Sequence, residues 1–241
     1  MKPLRNKSFR FGIFCDNVSA MSDSVLHWNT LHANPRFRPV YPNEDVVRFL
    51  LATRAQLKPD SRRRLLDIGT GAGRHMRLAA ELEFSPIGID ISHTGLRHAR
   101  ERLQNNGATY GLALASMTAL PFAEQSFDVV VSYGCFNYGY ARDMKRAISE
   151  VRRILTTNGR SFIVLRTTRD YRYGKGRELE SGTFQLDIAD TNELGTIQHF
   201  LTEENICEYF GDFSSVSFER VESTFCGRTR VNSDWLITAE K

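Results

Sequence analysis

Short apolar runs alternate with amphipathic stretches between residues 64 and 165, and this alternation restricts the fold more than any other feature of the chain. The runs are RLLDI (64–68), PIGIDI (86–91), a weaker run over 109–115, FDVVVS (127–132) and SFIVL (161–165). Continuous apolar runs of this length, bounded by turn residues, read as strands buried on both faces. Between them lie helical patterns at about 73–82, at 93–105 behind a Ser92 cap, and at 143–154. In the last of these Ala147, Ile148, Val151 and Ile154 share one face. Repeated strand–helix–strand units give a parallel sheet covered by helices on both sides. Asn158-Gly159 reads as the turn before the fifth run. Asn43 reads as the N-cap of a further helix ahead of the first run, and Thr202 as the start of a short one ending near Tyr209. Residues 216–225 and 231–240 read as an antiparallel hairpin at the sheet edge.

Composition removes several classes. No apolar run in the 241 residues approaches the ~20 needed to span a bilayer. Cys15, Cys135, Cys207 and Cys226 stand apart with no CxxC, against a zinc ribbon, a redox pair or a disulfide framework. Asp170, Asp187, Asp190 and Glu193 have no recognised ligand spacing, so no metal is expected. The apolar stretch from Phe11 to Cys15 is too short for a signal peptide, and the reading is a cytoplasmic protein. Net charge is +4, and only six of the 32 basic residues are Lys. Guanidinium groups suit oxyanion partners; genomic base composition explains the excess as well.

The chemistry concentrates in Leu65-Leu66-Asp67-Ile68-Gly69-Thr70-Gly71-Ala72-Gly73-Arg74, where the first strand turns into a helix. Glycines there let a ligand approach the backbone, and a helix N-terminus offers free N–H groups. The dinucleotide fingerprint needs a third glycine at position 74, which is Arg74. Asp90 ends the second strand, where a carboxylate can accept both hydroxyls of a ribose. Two carboxylates flanking a glycine turn suit a ligand with a cationic amino group and a ribose, and would repel a pyrophosphate. That combination favours S-adenosylmethionine. Purely structural readings stand beside it: a tight turn for the glycines, a turn carboxylate for Asp67, and a helix N-terminal acid for Asp90.

With GIDIS (88–92) and MTALPFAEQSFDVVVS (117–132) following in order, the chain resembles the class I S-adenosylmethionine-dependent methyltransferases of small-molecule type, strongly over residues 41–165. The resemblance implies a Rossmann-like, doubly wound α/β fold in three layers. Its seven-stranded sheet would be mostly parallel, with an antiparallel C-terminal hairpin, in the order 3-2-1-4-5-7-6. It implies that Asp67 receives the methionine amino group, that Gly69, Thr70, Gly71 and Gly73 line methionine and ribose, that Asp90 binds the ribose diol and that Ile91 packs on adenine. Where the family has an acid for the adenine amino group, this chain has Ser116, followed by Met117, so recognition there would lean on a hydroxyl and on the Met117 backbone. Ser132 and Tyr41 complete the expected cofactor set.

A ligand in an open parallel sheet lies beyond the C-terminal strand ends, so the segment after the fourth strand would face the methyl group. Tyr133 and Asn137 are the expected catalytic contacts there, and Tyr138 a substrate contact. Residues 167–201 are polar, glycine-containing and without a long apolar period. They read as a mobile substrate lid in a single domain over 41–241, with Arg166, Arg169, Tyr171 and Arg172 on the substrate and His199 as a candidate base. Residues 1–40 read as an extension, flexible over 1–20, whose later part, with Trp28, His32 and Arg38, closes over the cofactor. The expected activity is methyl transfer to N or O of a small polar metabolite, anionic or sugar-like, by in-line displacement. A dehydrogenase, an RNA or tRNA methyltransferase and a non-catalytic cofactor-binding protein remain alternatives. The glycine spacing weighs against the first, and the lack of an RNA-binding module or dense basic tract against the second.

Overall fold

The computed structural model describes residues 18–57, 63–104, 110–189 and 191–241. The segment 1–17, the start of the expected third strand at Thr109, and Asp190 lie outside the described residues.

Helix α1 (Val18–Ala33) is followed by a single 3₁₀ turn at Pro35–Phe37 and by α2 (Glu44–Gln56). The alternating region then runs β1 (Arg64–Ile68), α3 (Arg74–Glu81), β2 (Ser85–Asp90), α4 (His93–Gln104), β3 (Gly111–Leu114), β4 (Phe127–Tyr133), α5 (Ala141–Ile154) and β5 (Leu155–Arg166). An insert contributes β6 (Gly176–Glu180), β7 (Thr183–Leu186) and β8 (Ile197–His199). Helix α6 (Glu203–Tyr209) and the long strands β9 (Ser215–Phe225) and β10 (Arg230–Glu240) complete the chain.

The main sheet has the order β3-β2-β1-β4-β5-β10-β9. The first five strands are parallel, and β10 pairs antiparallel with both β5 and β9. This is the expected doubly wound sheet with its reversed edge hairpin. Chain direction across the sheet switches between β1 and β4, where Asp67 pairs with Gly88 on one side and Val131 on the other. A crevice opens at such a switch point, beyond the carboxyl ends of the strands.

Period-two alternation along the strands divides the core into two layers. Leu66, Val130 and Ile163 face Met144, Ile148 and Val151 of α5 and Ile206 of α6. Leu65, Val129, Val131, Phe162 and Val164 face Val46, Phe49 and Leu50 of α2 and Ala79 of α3. The Asn43 side chain accepts from the N–H groups of Asp45 and Val46, the cap expected from sequence. Thr202 caps α6 in the same manner, accepting from the N–H of Asn205.

Two segments depart from the sequence reading. The insert over 167–201 is not a structureless lid: β6, β7 and β8 form a three-stranded antiparallel sheet. Its apolar cluster is only Phe184, Leu186 and Phe200, with Ile188 against it. Three side chains scattered over 17 positions make no visible period. The fifth strand begins at Leu155 rather than Ser161, with Asn158 in the left-handed region at φ +63° inside it. Among the described residues no helix is long and apolar enough to cross a membrane.

Candidate active site

The loop after β1 is fixed by two hydrogen bonds, from the N–H groups of Gly69 and Thr70 to Ile89 O, both 2.9 Å. Gly69, Gly71 and Gly73 all have positive φ, between +52° and +76°. At Gly69 a side chain is excluded twice over, because a Cβ there would also lie 2.5 Å from the Cβ of Cys135. The loop turns tightly between the ends of β1 and β4, with Gly69 against Cys135 and Gly71 against His32.

Asp67 and Asp90 stand on either side of it, 1% and 8% exposed. Asp67 Oδ2 accepts from the Thr70 hydroxyl at 2.7 Å. Burial raises its pKa to about 6, while the Thr70 bond and Arg74 pull it down and Asp90 pushes it further up. Asp90 is clamped by backbone: Oδ2 accepts from Gly71 N–H and Oδ1 from Ser92 N–H, each at 2.8 Å. Burial raises its pKa as well, opposed first by His32. Two buried carboxylates that destabilise each other are relieved by a cation and worsened by an anion. The same two backbone bonds give Asp90 a structural role at the turn into α4.

Other expected contacts are placed differently. The Ser132 hydroxyl is fully buried and donates to Ile68 O at 3.2 Å, tying β4 to β1. Tyr41 is 82% exposed, and its carbonyl, not its ring, contacts the site through Arg74 at 3.4 Å. Ser116 sits in a turn with its hydroxyl against that of Thr118 at 2.9 Å. Ile91 is half-buried at the start of the turn into α4. Met117 Sδ lies 3.9 Å from Cys135 Sγ. Desolvation holds the Cys135 thiol far above its ordinary range, so it stays protonated.

On the methyl-facing side Tyr133 points toward α2: its hydroxyl accepts from Asn43 Nδ2 at 3.0 Å, and its ring meets His75 edge-on and Arg74. Asn137 is a buried clasp, its Oδ1 accepting from Arg166 N–H at 2.8 Å and its carbonyl from His199 N–H at 2.9 Å. Both are catalytic contacts in the sequence reading, and in the fold both side chains carry these structural bonds. His199 is committed as well. Its Nδ1 bonds the Thr183 hydroxyl at 2.8 Å and its Nε2 the Tyr209 hydroxyl at 3.0 Å, behind the small sheet. Burial lowers its pKa. With both ring nitrogens bonded, it is not poised as a base.

Arg166, Arg169 and Arg172 are neutralised within the protein. Arg166 and Arg172 both bond Glu193, Arg172 also holds Asp170, and Arg166 bonds Gln198. Tyr138 donates to the same Glu193 at 3.0 Å. Arg169 pairs with Glu222 on β9, and Tyr171 packs on Phe225 and Arg230. Of the expected substrate set, only Tyr138 turns toward the roof of the site, where Trp28 of α1 meets it edge-on at 4.6 Å.

Two residues escaped the sequence reading. Asn29 of α1 accepts at 3.0 Å from both the Ser92 hydroxyl and Thr94 N–H, at the start of α4. Glu193 is the keystone of the insert. An asparagine within a helix and a glutamate in a polar segment carry no distinguishing local signal. Trp28 and His32, four apart on one helix face, are the signal that α1 covers the site.

Residues 65–159 match the methyltransferase domain family. The chain is 33% identical over 179 residues to the demethylmenaquinone methyltransferase of Bacteroides fragilis, a match covering 70% of this chain and 66% of that protein. It is 34% identical over 116 residues to a ubiquinone/menaquinone biosynthesis C-methyltransferase of Bordetella avium, covering 46% of this chain and 43% of that one. The 1,6-didemethyltoxoflavin-N1-methyltransferase of Burkholderia thailandensis, solved with 1,6-didemethyltoxoflavin and S-adenosylhomocysteine, shares the fold at TM-score 0.65 and 18% identity, covering 95% of this chain and 93% of that one. The chain belongs to the class I S-adenosylmethionine-dependent methyltransferases.

Proposed function

We propose that this chain transfers a methyl group from S-adenosylmethionine to a small acceptor with a planar ring, by direct in-line displacement. The observation that carries the reading is the pair of buried carboxylates, Asp67 and Asp90, on either side of a glycine-rich loop at the strand switch point. The donor set fits the cofactor. Asp67 gains a cationic partner for a carboxylate that burial has destabilised, and Asp90 is held rigid by Gly71 and Ser92 to receive ribose hydroxyls.

Bound S-adenosylmethionine supplies a methyl on a sulfonium, already electrophilic enough that no covalent enzyme intermediate is needed. The chain's own part is to bind, orient and exclude water. Asp67 and Asp90 fix the two ends of the cofactor. Trp28 and Tyr138 roof the site, and Cys135 and Met117 offer an uncharged, sulfur-lined wall against Gly69.

The acceptor follows from what is free. Arg166 and Arg172 already hold Glu193 and Asp170, so they give little support to an anionic metabolite. The aromatic roof favours a planar face. With His199 committed elsewhere, the acceptor is a nitrogen or oxygen that is nucleophilic without help. The quinone-named relatives favour a second reading, an electron-rich ring carbon.

Radiolabelled methyl transfer to a panel of hydroxynaphthoquinols, small aromatic amines, amino sugars and bulk tRNA tests this. Label in the aromatic classes is expected. Label in amino sugars or tRNA, or cofactor binding with no transfer to any class, would contradict the proposal.

A further inference from the structure

The cofactor carboxylate Asp90 has a neighbour that the mechanism above does not use. His32, on α1, is 92% buried by its 8% exposure, and its Nδ1 is enclosed with no hydrogen-bond partner among the described residues. The ring lies in a notch cut by two glycines from different elements. A Cβ on Gly95 of α4 would lie 2.7 Å from Nδ1 of the ring, and a Cβ on Gly71 of the cofactor loop 3.2 Å from its Nε2. Gly95 lies inside α4, where alanine would favour the helix. The absence of a side chain there makes room for His32.

Burial lowers the pKa of His32 against the pull of Asp90, with His98 and Arg38 acting in the same direction as burial. A buried imidazole with an unpaired nitrogen is a poor device for stability, because an apolar ring would fill the notch without that penalty. It is placed where α1, the glycine loop and α4 meet. Three residues before it on the helix, Asn29 bonds the start of α4, and Trp28 reaches Tyr138 on the far side of the loop. Helix α1 therefore spans from the Asp90 side of the site to the post-β4 segment.

We propose that His32 is a positioning residue that seats α1 in the Gly71–Gly95 notch and so closes the cofactor site. This rests on reading the Asp67–Asp90 centre as that site. Seating and cofactor affinity are then linked, since cofactor held beneath the roof leaves only when α1 lifts.

The test is a cycle of His32→Ala, Gly95→Ala and the double variant, each titrated with S-adenosylhomocysteine by calorimetry. Amide hydrogen exchange over residues 23–33 is measured in parallel on the cofactor-free proteins. Each single variant is expected to weaken binding about tenfold and to speed α1 exchange, the scale on which one buried anchor acts. In the His32→Ala background, Gly95→Ala is expected to add no further loss, because the ring it would strike is gone. Gly95→Ala also guards against a His32→Ala chain that fails to fold. Single variants that bind and exchange as wild type, or a Gly95→Ala loss that persists undiminished without His32, would overturn the proposal. A wild type that binds no cofactor while α1 exchange still responds as expected overturns the reading of the site, and with it the closing role, but not the seating.

Discussion

At Asp67 a carboxylate is held where water cannot reach it, and the consequence can be measured. Its pKa of about 6 in the fold lies above the 3.8 of the free side chain. The folded state therefore binds the proton more tightly, and the stabilising influence of protonation is present below about pH 4 and lost as pH rises through 6. Above that range the ionised group destabilises the cofactor-free protein. Asp67→Asn keeps an acceptor for the Thr70 hydroxyl and removes the charge. It is expected to raise cofactor-free stability at pH 7 by about 1–3 kcal/mol, with the gain shrinking toward pH 4, and to weaken S-adenosylmethionine binding. Urea denaturation at both pH values checks the first part; equal gain at the two would show that burial of charge is not the cause. Asp67, Asp90 and the three loop glycines were legible in the sequence because each needs a particular residue type at a fixed distance from a strand end. Ser132, Tyr133, Asn137 and His199 were read by position alone. Their partners, Ile68, Asn43, Arg166 and Thr183, come from distant parts of the chain, which spacing cannot show.

Among the elements, those with a strong period were legible and those without were not. The β5–β10–β9 edge and α5 follow from alternation and from a helix face. The small sheet of the insert does not, because its order depends on polar contacts around Glu193 more than on a core. Burial opposes ionisation of Glu193, but Arg166 and Arg172 outweigh it and hold the carboxyl below its ordinary range. Its contribution is thus present above the ordinary glutamate pKa and is lost as pH falls through the lower folded value. Glu193→Gln leaves the buried Arg166 guanidinium without its carboxylate, while Arg172 keeps Asp170, at a cost of about 3 kcal/mol. The expected outcome is faster limited proteolysis within residues 167–201 while the main sheet stays folded. Cleavage at the wild-type rate would remove Glu193 from its keystone position. The same neutralisation changes the meaning of the arginine excess. Arg166, Arg169 and Arg172 hold the protein's own carboxylates, so the net charge of +4 is no argument for an anionic ligand at them.

Across the whole molecule the parts converge on one place. The parallel half of the sheet opens its crevice between β1 and β4. The glycine loop turns at that crevice, two carboxylates make it electronegative, and α1 lies across it from Asn29 and His32 to Trp28. A pyrophosphate would meet the buried carboxylates unfavourably, whereas a ligand with an ammonium and a ribose would find an acceptor for each in the proposed roles of Asp67 and Asp90. Calorimetric titration of the intact chain with S-adenosylmethionine and, separately, with NAD compares the two directly. Binding of S-adenosylmethionine at one site per chain, with no heat from NAD, is the expected result; binding of NAD without binding of S-adenosylmethionine would contradict the account.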